Sequence, residues 1–446
     1  MTGTIDTMRS AGITALTPAG EPVHPPLRRN RDYRLLLTGS VGAWTGMAMA
    51  DVVYPLLILG FTGSPMLAAV FGVIQFATMV LGSLPAGEFI DRHDRRRILI
   101  GSETARAVAG VSLAVAIGTG HLWLVQLYLV AAVLGVCQPF SGVRTILVRA
   151  VVPEARLSRA LAQQQVASAA AALAGPAIGT TLYAAGRSLP FAVNAVALAL
   201  SAVAALLLRY RAAGKAGTVE TAGPPAVADD VPSDPASAAP ESDGGALAGL
   251  RILWNRPLMR SAMLIIMLVN LIGVPLDLVL IVQARREGVP THYIGLILAA
   301  FAAGAILGAP LIPRLHRLLR PGWLLIDFVG LVSLTVGLLA VPLGGFWMAG
   351  LIAVVGLAMP ALQVLIQVLI LQQVPDGQRG RVMSAAMMLM GLGMPLGSAL
   401  GGLLLQVFGP TGAILIFTAM TGAGTLLAVC QRSLRSAVWP EAESAA

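Results

Sequence analysis

The sequence predicts an all-α integral membrane protein whose twelve transmembrane helices form two pseudo-symmetric six-helix halves. Three observations carry this expectation. Of 446 residues, 57% are hydrophobic and only 11% charged, with mean hydropathy +0.81. A water-soluble core of this length does not need apolar residues all round its helices. The apolar residues fall in continuous runs of about 20, the length that crosses ~30 Å of hydrocarbon, and do not alternate with the period of two that a membrane β-barrel requires. Finally, residues 212–249 turn to Ala, Gly, Pro, Ser, Asp and Glu and divide the runs six and six.

In order, the spans are expected near residues 33–59, 66–89, 98–119, 122–147, 160–185 and 189–209, then 258–282, 292–313, 322–341, 346–371, 383–407 and 411–430. The first is preceded by about thirty polar, proline-containing residues and is longer than a signal-peptide core, so it is read as a retained helix. The organisation that follows is a tail (1–32), an N-terminal half (33–211), a linker (212–255), a C-terminal half (256–430) and a second tail (431–446). The linker cannot bury enough apolar surface to offset its ordering entropy and is expected to be disordered.

The net charge of +9 has a topological explanation rather than a nucleic-acid one. The arginines concentrate in alternate loops, and with a cytoplasmic N-terminus only Arg187, Arg285 and Arg286 fall outside, as the positive-inside rule requires. Both tails and the linker are then cytoplasmic. Abundant arginine against a single lysine, Lys215, points to a GC-rich bacterial genome and so to a bacterial inner (plasma) membrane.

Several chemistries are missing from the sequence. Lys215 is not part of a phosphate-binding Gly-x-x-x-x-Gly-Lys-Ser/Thr loop. The five histidines lack metal-ligand spacing, and no nucleophile-elbow serine occurs. Cys137 and Cys430 lie in or beside apolar runs and suggest no disulfide framework. No enzyme activity, cofactor or metal is expected, and any transport draws on an ion gradient or runs passively.

Between the second and third spans stands a knot of charge, Gly87-Glu88-Phe89-Ile90-Asp91-Arg92-His93-Asp94-Arg95-Arg96-Arg97. Gly87 would allow backbones to approach closely, Asp91 could face a helix N-terminus, and the arginines could pair with Asp91 or with Glu103. Glu103 and Arg106, three apart, share one face of the third helix. The alternative is a positive-inside anchor without a switching role. The knot resembles the Gly-x-x-x-Asp-Arg-x-x-Arg-Arg loop signature of the major facilitator superfamily, with Asp94 where many members have glycine. The resemblance implies a conformational latch of Gly87, Asp91, Arg92, Arg95, Arg96, Glu103 and Arg106 that holds the second span to the eleventh.

Gly175, Pro176 and Gly179 in the fifth span resemble the family's antiporter signature, with Thr180 in place of its last glycine. A generic small-residue packing seam is the alternative. Arg31-Asp32-Tyr33-Arg34-Leu35-Leu36, Thr62-Gly63-Ser64-Pro65, the stretch from Pro139 to Gln165, and Val374 to Ser384 resemble the branch of drug:proton antiporters that contains enterobactin and macrolide exporters.

In that family spans 1, 4, 7 and 10 surround a central cavity. The polar residues within them here are Asp51, Gln126, Gln138, Asn270, Asp277, Gln363 and Gln367, with Trp44, Met47, Tyr54 and Met359 as an adaptable apolar wall. Sparse polar groups in an apolar cavity suit an amphipathic organic molecule. Relatives usually read Gly-Asp followed eight residues later by Pro. Here Gly46 is followed by Met47, Pro55 keeps the spacing, and Asp51 lies one turn further on. Asp51 is therefore the expected proton-coupling residue, with Asp277, nearer the outer end of its span, as competitor.

The resemblance implies a monomeric secondary exporter of lipophilic or amphipathic molecules (drug, macrolide, siderophore or secondary metabolite) that works by proton antiport and alternating access. An importer or lysolipid flippase of the same fold, or a non-transporting scaffold or sensor, are the alternatives.

Overall fold

The computed structural model describes residues 30–208, 257–318, 320–373 and 376–435, together with Leu27, Arg251, Trp254 and Asn255. Within these stretches the side chains of Leu84, Pro257, Leu258, Gln363, Ser433 and residues 366–390 are also outside the description. Most of the expected linker and of both tails, and the side chains of the cavity candidates Gln363 and Gln367, therefore lie beyond it.

The N-terminal half begins with α1 (Arg31–Thr62), α2 (Pro65–Arg92) and α3 (Arg95–Gly118). Their boundaries follow from side chains that satisfy the free N–H groups of a first turn. Asn30 accepts from Tyr33 N at 3.1 Å, Ser64 from Leu67 N at 3.4 Å, and Asp94 from Arg96 N at 2.9 Å. Between α1 and α2, Gly63 takes the left-handed conformation at φ 67°, with Pro65 at the first position of the next helix. The fourth span is interrupted: α4 (Leu124–Cys137) passes through a 3-10 turn at Gln138–Gly142 into α5 (Val143–Val151). Pro139 lacks the N–H that a continuous α-helix would use there. The half closes with α6 (Glu154–Ala185) and α7 (Leu189–Leu206).

The C-terminal half contains α8 (Pro257–Arg286), α9 (Thr291–Gly308), α10 (Ile312–Leu318), α11 (Pro321–Leu338), α12 (Gly345–Gln373), α13 (Asp376–Cys430) and the short α14 (Arg432–Arg435). Among the described residues eleven helices are long and apolar enough to cross a membrane. The difference from twelve sits in α13, whose 55 residues would be roughly 80 Å long if straight. Gly409, at φ 69° and ψ −179° and followed by Pro410, breaks it into two spans.

Within the N-terminal half α1 packs on α6 and α7, α2 on α4, and α3 on α7; within the C-terminal half α8 packs on α13, α9 on α12, and α11 on both α12 and α13. Two seams join the halves: α6 against α9, and α2 against α13. Large apolar side chains such as Leu129, Leu200, Leu307 and Leu426 are exposed on the outside of the bundle. On a water-soluble protein they would favour aggregation, whereas hydrocarbon solvates them.

The start of α1 is tied down by Tyr33, only 2% exposed, whose hydroxyl reaches Gln163 Oε1 at 2.8 Å and the Ala160 carbonyl at 3.2 Å in α6. Asn30 Nδ2 donates to the Val151 carbonyl at 3.1 Å. Two separate motifs of the sequence thus meet at one corner.

Among the described residues the halves approach closely at the end of the bundle that carries the α1–α2, α6–α7 and α8–α9 turns. Gly295 of α9 meets α6 so tightly that a Cβ would land on the Pro176 carbonyl oxygen and the Thr180 hydroxyl. Thr180 is fully buried and also reaches the His292 carbonyl at 3.2 Å, so the residue that departs from the antiporter signature bonds across the seam. Ser64 Oγ donates to Gln406 Oε1 at 3.2 Å, and Arg285 Nη2 to the Leu56 carbonyl at 3.3 Å. Among the described residues three hydrogen bonds thus join the halves at this end. By contrast, a Cβ on Gly87, which the sequence suggested as a close-approach glycine, would meet nothing within 4 Å among the described residues.

Gly295→Val should therefore lower thermal stability by about 1–3 kcal/mol through overpacking against backbone that cannot retreat, while Gly87→Ala leaves the melting temperature of purified protein unchanged. Equal melting temperatures for Gly295→Val and the parent would remove Gly295 from the seam.

Candidate functional site

Two cavities open at the centre of the bundle, and both use the same pair of carboxylates. One, of about 250 Å³, is lined by Met47, Asp51, Tyr54 and Pro55 from α1, Phe71, Gln75, Phe76 and Met79 from α2, Gln138, Asp277 from α8 and Ser398 from α13. The other, of about 360 Å³, lies toward α6, α9, α11 and α12 and is lined by Asp51, Asn270, Asp277, Phe301, Phe328, Ile352, Val355 and Met359. Asp51 comes from the N-terminal half and Asp277 from the C-terminal half, so the pair stands where the halves face one another.

Both aspartates are open to cavity space, and they are near enough for the charge of one to act on the other. Along their helices they sit roughly 17 Å and 14 Å from the α1 and α8 ends. Asp277 is thus nearer the end of its helix by about two residues, and the two carboxylates share one wall. Pro55 and Pro275 stand beside them in the first cavity, each lacking the N–H that would bond the preceding turn. Asn270 Nδ2 is buried without a partner at the margin of the second cavity, a cost that a bound polar group would relieve.

The wall is otherwise apolar and aromatic. Tyr54 stacks on Phe71 with centroids 4.7 Å apart and meets Phe191 edge-on at 5.2 Å. Gln138 Nε2 lies 3.6 Å from Met47 Sδ, which links α1 to the 3-10 turn that follows α4. Met359 is in the wall of the second cavity.

Two other candidates lie elsewhere. Gln126 turns away and donates to the Ser112 carbonyl of α3 at 3.0 Å, an interhelical bond rather than a cavity contact. Trp44 is half-buried on α1 and is not part of either cavity wall. Conversely Gln75, Phe71, Phe76, Met79 and Ser398 join the wall from spans 2 and 11, which a search restricted to spans 1, 4, 7 and 10 passes over. Gln75 is the one that carried a signal, a lone polar residue in an apolar run.

The groups expected in the latch separate into two sets. Arg92 pairs with Glu88 at 2.5 Å on an open surface, and Arg96 donates to the carbonyls of Ala205 (2.9 Å) and Leu206 at the end of α7. Asp91 and Arg95 are exposed, and among the described residues neither takes part in an ion pair. Asp94 caps its own helix, α3, while the side chains at the start of α13 that a latch at Asp91 would meet lie outside the described residues.

Glu103 does not reach the knot. It pairs with Arg144 at 2.9 Å and with Arg106 at 3.8 Å, all three being at most 8% exposed, and Arg144 also donates to Ser201 Oγ at 2.6 Å. Arg144 is thereby the anchor of a buried cluster joining α3, α5 and α7. Glu103 Oε2 and Arg106 Nε lack partners, and Arg106 is within electrostatic reach of Asp51.

On the α1–α6 contact, a Cβ on Gly175 would come within 2.5 Å of Ala48 Cβ, and one on Gly179 within 3.2 Å of the Met49 α-carbon. Pro176 lines the second cavity. These residues let α6 approach α1 along the stretch that carries Asp51. Among the described residues no group of His, Cys, Asp or Glu is arranged to hold a metal ion.

Comparison with known proteins gives three findings. The family model described as Major Facilitator Superfamily matches residues 36–284 and 278–438. Among curated proteins, the multidrug efflux pump Tap of Mycobacterium tuberculosis is 26% identical over 389 residues, covering 84% of this chain and 87% of Tap. The macrolide efflux protein A of Streptococcus pyogenes is 24% identical over 374 residues, covering 81% and 87%. Among solved structures, a bacterial homologue of the iron transporter ferroportin in an inward-facing state superposes with TM-score 0.68 at 19% identity, over 91% of this chain and 99% of that one. The nucleoside transporter NupG superposes with TM-score 0.66 at 14% identity, over 89% and 98%.

The buried cluster yields a prediction. Glu103→Ala leaves Arg106 and Arg144 buried without their carboxylate and should destabilise the protein by about 3–5 kcal/mol, read as a fall in melting temperature. Arg92→Ala, which removes an exposed pair, should not be measurable. Equal stability of the two variants would contradict the cluster.

Proposed function

The chain belongs to the major facilitator superfamily, and from that premise we propose that it is a proton-driven exporter of lipophilic or amphipathic small molecules that works by alternating access. The observation that carries this reading is the pair Asp51 and Asp277: one carboxylate from each half, both in the walls of the same two central cavities. A carboxylate at this depth is costly to ionise, so its charge changes hands only with its surroundings. Whatever protonates one of the pair alters the repulsion between halves and hence the preference between open and closed states.

Transport of a small molecule follows from the family. Export is supported by the printed functions of the curated relatives, a multidrug and a macrolide efflux protein, and by the Gly175-Pro176-Gly179 contact on α1. The apolar and aromatic wall, broken by Gln75, Gln138, Asn270 and Ser398, favours an amphipathic guest over a sugar. In this reading both termini are cytoplasmic, the linker joins two halves that move as bodies, and the protein works as a monomer in a bacterial inner membrane. The end with Gly63, Thr180 and Gly295 then faces outward.

Energetically, one proton charge moved across ~100 mV supplies about 2.3 kcal/mol, enough to bias the cycle nearly fiftyfold. Asp51→Asn in proteoliposomes should abolish uphill, pH-driven accumulation of a macrolide or lipophilic dye while retaining downhill exchange of the same compound. If Asp51→Asn still concentrates substrate when only a pH difference is applied, Asp51 is not the coupling residue, and Asp277→Asn becomes the variant that must fail.

A further inference from the structure

At the closed end, outside the central cavities, a separate pocket of about 430 Å³ opens between the halves. Leu59, Gly63 and Pro65 line it from the α1–α2 corner, Val282, Arg285 and Arg286 from α8, and Leu405 and Gln406 from α13. Its wall carries two guanidinium groups and no carboxylate. We propose that this pocket binds a phosphate-bearing anion, and that the bound anion holds this end of the carrier closed.

Four observations support the site. First, both arginines keep spare donors: Arg285, half-buried, gives one hydrogen bond to the Leu56 carbonyl at 3.3 Å, and Arg286 is exposed with its guanidinium over Gly409. A guanidinium has five N–H donors arranged to grip two oxygens of one phosphate. Second, among the described residues neither arginine has an ion pair. The adjacent acid, Glu287, is committed elsewhere: its oxygens accept from Gln283 Nε2 at 2.8 Å and from Gly344 N at 3.1 Å.

Third, the pair stands at the last two residues of a membrane-spanning helix, the level at which lipid phosphates lie. It is also on the side where the charge bias leaves arginine rare, so a general anchoring role does not account for it. Fourth, the pocket exists only while α1 and α2 meet α8 and α13. A ligand that fits the closed arrangement and not the open one must shift the population toward the closed one. The anion neutralises two cations that otherwise repel each other at the seam. Two sources offer this chemistry, the headgroup of an anionic phospholipid and free inorganic phosphate.

The test uses full-length protein lacking Cys137 and Cys430 and carrying Thr180→Cys, a fully buried seam position that an impermeant maleimide reaches only when the end opens. Labelling is followed in detergent with sodium phosphate against sodium chloride at equal ionic strength, and in nanodiscs of phosphatidylglycerol against phosphatidylcholine. At phosphate tenfold above its half-saturation point, labelling should slow about elevenfold. Slowing by phosphate in detergent identifies the free anion as sufficient. Slowing only in phosphatidylglycerol discs identifies the lipid headgroup. In either case Arg285→Gln with Arg286→Gln must abolish the effect, and Arg286→Gln alone, at an exposed position that folding does not need, must weaken it. Rates indifferent to both phosphate and phosphatidylglycerol, or an effect that survives both Arg286→Gln and the double substitution, would overturn the proposal.

Discussion

The contact of Gly295 with the Pro176 carbonyl and the Thr180 hydroxyl is the constraint on which the remaining architecture depends. Inside a bilayer, two helix bundles gain nothing from hiding apolar surface from each other, because lipid chains solvate that surface equally well. What joins them must come from close packing and from hydrogen bonds. Bare α-carbon at Gly295, a fully buried threonine hydroxyl, and the Ser64–Gln406 and Arg285–Leu56 bonds supply both at one end. Such a seam is short, directional and neutral except for Arg285 and Arg286, so it can hold the halves together and still come apart.

Charge follows a second logic. The Glu103–Arg106–Arg144 cluster sits inside one half and ties α3, α5 and α7 into a unit, which is what a body that moves as a whole requires. Its two cations against one anion leave positive charge uncompensated within the half, and the next anion toward the centre is Asp51. The aspartates, by contrast, belong to different halves and face open space. A charge held between bodies responds to their separation, whereas a charge held within one body does not.

Much of the fold was legible because a membrane span imposes one strong rule: twenty apolar residues without interruption. The caps at Asn30, Ser64 and Asp94 sharpen boundaries that hydropathy alone leaves loose. The break within the fourth span could be read only after the fact from Pro139. That between the eleventh and twelfth spans falls at Gly409, inside the gap that hydropathy leaves between residues 407 and 411. The site was less legible. Asp51, Asp277, Gln138 and Met359 stood out as polar or soft residues in the right spans, but Gln126 has the same signature and serves an interhelical bond to Ser112. Glu103 and Arg106 were visible as a pair on one face, while their third member, Arg144, is 38 residues from Arg106 in sequence. No local spacing connects them, since the cluster is created by the packing of three helices. Gly87 shows the converse limit: a motif position names a residue type, and only the fold tells whether another backbone is near.

The central claim is that the two halves are bodies that close at one end as they open at the other. Distances between spin labels test it most directly, with one pair at exposed positions of the closed end, Leu189 with Leu343, and one at the opposite end, Arg149 with Arg317. Lowering the pH and adding a transported compound should move the two distance distributions in opposite senses, the first widening as the second narrows. Two distributions that widen together, or that stay fixed under conditions that support transport, would contradict the account.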